Sequence, residues 1–141
     1  MSLSQIKLSA HNSTVNLTID EFIQLPQIPI NRDSHLRVQK MKPYYDSVSH
    51  DINLMASLTS VSVGIVLTPF SNGNGYDYKV GDMYILDGNT RKEYWMMYPE
   101  KKNDALVLIA KIFHLHSQHE VETFYKIHDN PASTEKNNER I

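Results

Sequence analysis

Between Ser60 and Thr68 the apolar residues Val61, Val63, Ile65 and Leu67 occupy every second position. Only an extended strand puts alternate residues on one face, so this stretch reads as a half-buried β-strand. Ser71-Asn72-Gly73-Asn74-Gly75 follows, dense in residues that tolerate the backbone of a tight turn. Tyr76 to Leu86 then returns with enough aromatic and aliphatic residues to close an antiparallel hairpin. After Leu86 the period changes: Asp87-Gly88-Asn89-Thr90-Arg91 leads straight into a helical pattern that starts at Thr90, places Tyr94, Trp95 and Tyr98 near one side and stops at Pro99. A hairpin joined directly to an amphipathic helix restricts the chain to folds in which helices cover a sheet.

The flanking segments fit that restriction. Val15 to Leu17 reads as a short strand, and Thr18 or Asp20 as the cap of a helical turn through Glu21, Phe22, Ile23 and Leu25. Pro26-Gln27-Ile28-Pro29-Ile30 is expected to be extended, because proline fixes its own φ and restricts the residue before it. A helical pattern opens near Ser34, Pro43 marks a second helix start or a kink, and Tyr44 to Leu58 reads as further helix. Ala105 to Leu115, the most apolar run, reads as a central strand buried on both faces. Ser117-Gln118-His119-Glu120 has capping-box spacing, and Val121, Phe124, Tyr125 and His128 continue the helix it opens. The expected class is α+β, a small mixed, mostly antiparallel sheet packed with helices over residues 1–130. Residues 131–141 form a polar tail in which Ser133 or Thr134 would open another helix of a longer protein.

At 141 residues the chain has the size of one domain able to bury a core without cross-links. It contains no cysteine, which excludes disulfides, thiolate zinc sites and cysteine nucleophiles, and makes the reducing cytoplasm the expected location. No apolar run approaches the roughly 20 residues that span a bilayer, so no membrane partner is expected. Fourteen basic and sixteen acidic residues give a formal net charge of −2, so attraction to nucleic acid has to be local. The local candidates are Arg32, Arg37, Lys40 and Lys42, answered later by Arg91, Lys92, Lys101 and Lys102.

The strand-to-helix turn is where the chain has chemistry to offer. Glycine allows close backbone approach, the first amides of a helix lack internal partners, and the positive end of the helix dipole lies behind them. Arg91 adds a permanently charged fork suited to phosphate oxygens, and Asn89 or Thr90 can cap the helix or donate to the same anion. The competing reading is a plain Asp-Gly turn with Arg91 solvated on the surface.

The segment Tyr84-Ile85-Leu86-Asp87-Gly88-Asn89-Thr90-Arg91-Lys92-Glu93-Tyr94-Trp95 resembles the Gly-x-x-Arg box of the ParB/sulfiredoxin superfamily, where a strand ends in a similar turn and leads into a helix. Ile28-Pro29-Ile30-Asn31-Arg32-Asp33 is similar to the segment that precedes a helix in the same superfamily, and the order of elements from Val15 to Asn130 fits its layout. The resemblance implies a nucleotide or other phosphate-bearing ligand held at Gly88 and Arg91, with Asn89 and Thr90 lining the turn and Arg32 as a second contact. It also implies a phage or plasmid type of protein. Any chemistry would be nucleotide hydrolysis or phosphoryl transfer on a nucleoside triphosphate with Mg²⁺, with Asp87 as partner of the ion. In sulfiredoxins the residue after this glycine is the reactive cysteine; here it is Asn89, which excludes that reductase activity. ParB nucleotide-binding proteins carry more arginine in the box and a DNA-binding domain downstream, whereas this box holds Arg91 alone. The alternative function is a non-catalytic module that contacts DNA or a host protein, with Tyr44 and Tyr45 as exposed apolar surface for the latter.

Other residues are read conservatively. No catalytic residue is assigned, because nothing in the spacing of Glu21 and Asp33 selects either carboxylate. No metal site is expected: His114, His116 and His119 read as surface histidines at a strand-to-helix junction. Tyr94, Trp95 and Tyr98 read as a core-packing face rather than a platform for a nucleobase.

Overall fold

The computed structural model describes residues 13–29 and 34–128. β1 (Thr14–Thr18) runs directly into α1 (Ile19–Ile23) through a reciprocal cap. The Glu21 amide donates to Thr18 Oγ1 at 3.1 Å, and the Thr18 amide donates to the Glu21 carboxylate at 3.0 Å. Thr18 is therefore the cap, because Glu21 stands at the third helical position where it can close the box. The proline segment after α1 lies along the sheet edge: Gln27 bridges Ile85, and the Ile85 amide donates to the Pro26 carbonyl at 2.8 Å.

α2 (Ser34–Val48) is continuous through Pro43, which lies on its exposed side. The helix does not extend to Leu58. The Ser49 hydroxyl donates to the Tyr45 carbonyl at 2.6 Å and the Asn53 amide donates to the Asp51 side chain at 2.8 Å. Such local side-chain bonds offer the backbone an alternative to helix, and only Leu54–Leu58 resumes, as a 3₁₀ turn that buries Met55 and Leu58.

The remaining elements are β2 (Ser60–Val66), β3 (Phe70–Ser71), β4 (Asp77–Tyr78), β5 (Met83–Asp87), α3 (Asn89–Met97), β6 (Val107–Leu115) and α4 (Gln118–His128). The main sheet has the order β1-β6-β2-β5, with β1/β6 and β2/β5 antiparallel and β2/β6 parallel. The protein is thus α+β with a mixed, mostly antiparallel sheet. The turn at Ser71–Gly75 closes its own two-stranded ribbon, β3 with β4, and β5 makes the return pairing with β2.

Each face of the sheet carries its own core. On one, α1, α2, α3 and the 3₁₀ turn pack Phe22, Val38, Tyr45, Met55, Tyr94 and Trp95 against Val15, Leu17, Val61, Val63, Ile65, Leu108 and Ile112. On the other, α4 and β4 pack Tyr78, Val121 and Phe124 against Val66, Tyr84, Leu86 and Leu115. The second layer is short. An 11-residue helix extends only ~16 Å, whereas the nine residues of β6 run ~30 Å.

The two strands exchange their expected burial. β2, expected to be half-buried, is buried on both faces from Val61 to Val66. β6, expected to be buried on both, alternates over its first half, leaving Val107 and Ile109 each 49% exposed. Among the described residues no helix is long and apolar enough to cross a membrane.

Candidate functional site

β5 delivers the turn through an irregular pairing. Its register against β2 shifts between Ser62 and Val63, so that Asp87 pairs with Ser62 while Ile85 pairs with Val63. The extra residue re-aims the strand end, as bulges do. Gly88 follows with φ +116°, a left-handed conformation that side chains resist, and a Cβ there would come within 2.9 Å of Phe22 Cζ and 3.0 Å of Val61 Cγ1. α3 starts on this glycine without any side-chain cap. The Lys92 amide makes the first helical bond, to the Gly88 carbonyl at 2.9 Å, so the amides of Asn89, Thr90 and Arg91 precede the helix's own hydrogen bonds. The Asn89 side-chain oxygen is buried with no hydrogen-bond partner among the described residues.

Arg91 is neither a solvated surface residue nor a free fork. Its side chain is 15% exposed. Nη1 donates to the Leu58 carbonyl at 3.0 Å and the Ser60 carbonyl at 2.6 Å, and Nη2 lies 3.4 Å from Asp87 Oδ2. Arg91 braces the entry to β2 against the turn and holds the more exposed Asp87 carboxylate beside it. Lys92 is also engaged: its ammonium donates to the Leu25 carbonyl, and burial holds its pKa below the ordinary value. Both cations of the box thus bind main-chain oxygens, and the amides of Asn89, Thr90 and Arg91 lie ahead of α3's own hydrogen bonds. Arg32 and Asp33 lie outside the described residues.

The α2–α3 interface beside the turn is polar at one end. Asp46 accepts from Lys42 at 2.6 Å and from the buried Tyr94 hydroxyl at 2.6 Å, with Lys101 Nζ at 3.9 Å. The Lys42 and Tyr94 hydrogen bonds pull the Asp46 pKa below its ordinary value, and the same Asp46 bond raises that of Lys42. Burial first, then the Asp46 bond, raises that of Tyr94. Lys102 pairs with Asp20 at 2.8 Å. Of the basic positions with described side chains, Arg37 and Lys40 are exposed on α2, while Lys42, Lys101 and Lys102 face carboxylates. Tyr94 and Trp95 are fully buried, as expected of a core-packing face. Glu21 is committed to its cap. His116 packs its ring nitrogen 3.0 Å from Glu120, and among the described residues no three acidic, histidine or cysteine side chains converge as a metal-ion set.

No protein-family model matches this chain, and neither a curated protein nor a solved structure matches it.

The structure removes Tyr45 from the surface. Tyr45 is 5% exposed and stacks at a tilt on Tyr94, with ring centroids 4.9 Å apart. Tyr44 turns the other way, donating its hydroxyl to Ser57 at 2.8 Å. A pair of exposed tyrosines for a host protein is therefore not present. The signal for burial was in the sequence: Val38, Met41, Tyr45 and Val48 recur at spacings of three and four, the inner face of a helix.

Proposed function

We propose that this domain binds a phosphate-bearing ligand, a nucleotide with Mg²⁺ as the leading case, at the start of α3. The observation that carries the proposal is Gly88. Its left-handed backbone and its contact with Phe22 and Val61 keep a side chain, and hence a side-chain cap, away from the first amides of a nine-residue helix. The resemblance of Tyr84–Trp95 to the ParB/sulfiredoxin box supports the same reading. In this arrangement the amides of Asn89 and Thr90 meet the anion, Arg91 holds the turn and supplies positive potential from behind, and Asp87 is the carboxylate available to a ligand-borne Mg²⁺. Arg32 remains a proposed second contact, and the reducing cytoplasm the proposed location.

The rival is a non-catalytic module for DNA or a host protein. Three of the basic residues that would serve DNA already face carboxylates, so phosphate binding at the turn is the better-supported reading. The test is the thermal midpoint with a panel of nucleotides, with and without Mg²⁺. A ligand at 100 times its dissociation constant adds about 2.7 kcal/mol to the folded state. Thr90→Glu is the control: a carboxylate in the first turn suits the helix dipole, so the fold should hold, while the anion is repelled. A nucleotide-dependent rise in wild type that vanishes in Thr90→Glu is the expected result; a rise that persists there would place the ligand elsewhere.

A further inference from the structure

The main sheet has two edges, and the chain treats them differently. Along β5 the proline segment takes the edge: the Pro26 carbonyl accepts from the Ile85 amide, and Gln27 bridges Ile85. β1 is the other edge, and among the described residues no strand pairs with its outer side. The register fixes which groups lie there. Asn16 pairs with Ile109, whose amide donates to the Thr59 carbonyl on the β2 side, so Asn16 and Ile109 are a non-hydrogen-bonded pair. Three residues earlier the Ile112 amide donates to the Ser13 carbonyl, as the alternation of an antiparallel ladder requires. The amides and carbonyls of Thr14 and Asn16 therefore point away from β6, to the outer edge. Proteins blunt such edges with lysine, proline or a bulge; Thr14-Val15-Asn16-Leu17-Thr18 has none of these and pairs in unbroken register.

The symmetry of the segment identifies the occupant. Read from either end it runs threonine, aliphatic, asparagine, aliphatic, threonine. A second copy laid antiparallel about a two-fold axis at Asn16 sets Asn16 against Asn16, Thr14 against Thr18 and Val15 beside Leu17, with no charges opposed. We propose that the β1 edge pairs with the β1 edge of a second copy of this chain, through reciprocal backbone bonds between the two Asn16 residues, joining two four-stranded sheets into one. A five-residue strand is a short contact, and pairing confined to it falls below the ~1,200 Å² of a stable interface, so the dimer forms reversibly at high protein concentration. The proposal is independent of the phosphate reading of the turn.

The full chain contains no cysteine, so a single thiol reports the register. In Asn16→Cys the two thiols meet across the axis, with Cα atoms ~5.5 Å apart, inside the range a disulfide spans. In Thr14→Cys they lie four residues out of register, ~13 Å along the strand, and cannot join. Both positions are exposed, so the reduced variants are expected to keep the wild-type thermal midpoint. The expected result has three parts. Wild type sediments as a concentration-dependent mixture of monomer and dimer. Mild oxidation crosslinks Asn16→Cys about tenfold or more faster than Thr14→Cys. Asn16→Lys, which sets like charges against each other at the axis, stays folded and monomeric where wild type dimerises. Equal crosslinking of the two cysteine variants means random collision or another register and overturns the proposal, as does a dimer that Asn16→Lys leaves intact. A wild type that remains monomeric up to about 1 mM also overturns it, which is the outcome if the edge is occupied from within the same chain.

Discussion

At Gly88 the backbone and the packing make separate demands on one residue. An L side chain in the left-handed region costs about 1–2 kcal/mol, and forcing a methyl against Phe22 and Val61 adds about 1–3 kcal/mol of overpacking. Gly88→Ala is therefore expected to lower stability by about 2–5 kcal/mol, read as a shift of the urea midpoint at unchanged slope; a change below about 0.5 kcal/mol would mean that the turn has another conformation. Arg91 makes a different point. Its bonds to the Leu58 and Ser60 carbonyls exist without any ligand, so Arg91→Ala should cost about 1–3 kcal/mol in the ligand-free protein. Loss of nucleotide binding in that variant would consequently confuse a damaged turn with a missing contact, whereas Thr90→Glu separates the two. The glycine and the arginine were legible in the sequence as a strand-to-helix turn. Where the guanidinium goes was not, because its acceptors lie 33 and 31 residues earlier in the chain.

α2 and α3 are joined by a network that responds to pH. The folded-state pKa of Asp46 is depressed from 3.8, chiefly by the hydrogen bond from Lys42 and then by that from Tyr94. A depressed carboxylate stabilises the fold above its unfolded pKa, and that contribution fades as pH falls through the folded value. Lys42 is raised from 10.5, so its contribution is complete below that pH and fades as pH rises through the higher folded value. The pair should thus be fully effective from about pH 4 to about pH 10.5. Asp46→Asn is expected to lower the thermal midpoint relative to wild type throughout that window, with the difference narrowing as pH falls below 3.8. A difference that is constant down to pH 2 would assign the effect to packing rather than charge. The two helices were each legible from their periodicity, and Pro99 marked where α3 stops. Their pairing through Asp46 and Tyr94 was not, because a carboxylate and a phenol 48 residues apart carry no mutual signal in one sequence.

Across the whole molecule the decisive feature is that α4 stops short of the end of β6 where Val107 and Ile109 lie. Replacing Val107 or Ile109 by threonine, on the open half of that face, should change stability by no more than about 0.5 kcal/mol. Leu108→Ala, between them and facing the helices, should cost about 2–5 kcal/mol. Equal costs at the three positions in urea unfolding would show that the open half is covered in solution. The sequence by itself determined the α+β class, the strands around Val15, Val61, Ile85 and Leu108, the capped helices, and the tight glycine turn before α3. Each of these follows from local periodicity and local turn chemistry, which short stretches of chain contain in full. Only the tertiary structure decided which strand is buried on both faces, that β2 and β6 run parallel, that Arg91 and Lys92 serve main-chain oxygens, and that Tyr45 turns inward against Tyr94. Those outcomes depend on the relative lengths of packed layers and on contacts between distant segments, and neither quantity exists until the elements have been brought together.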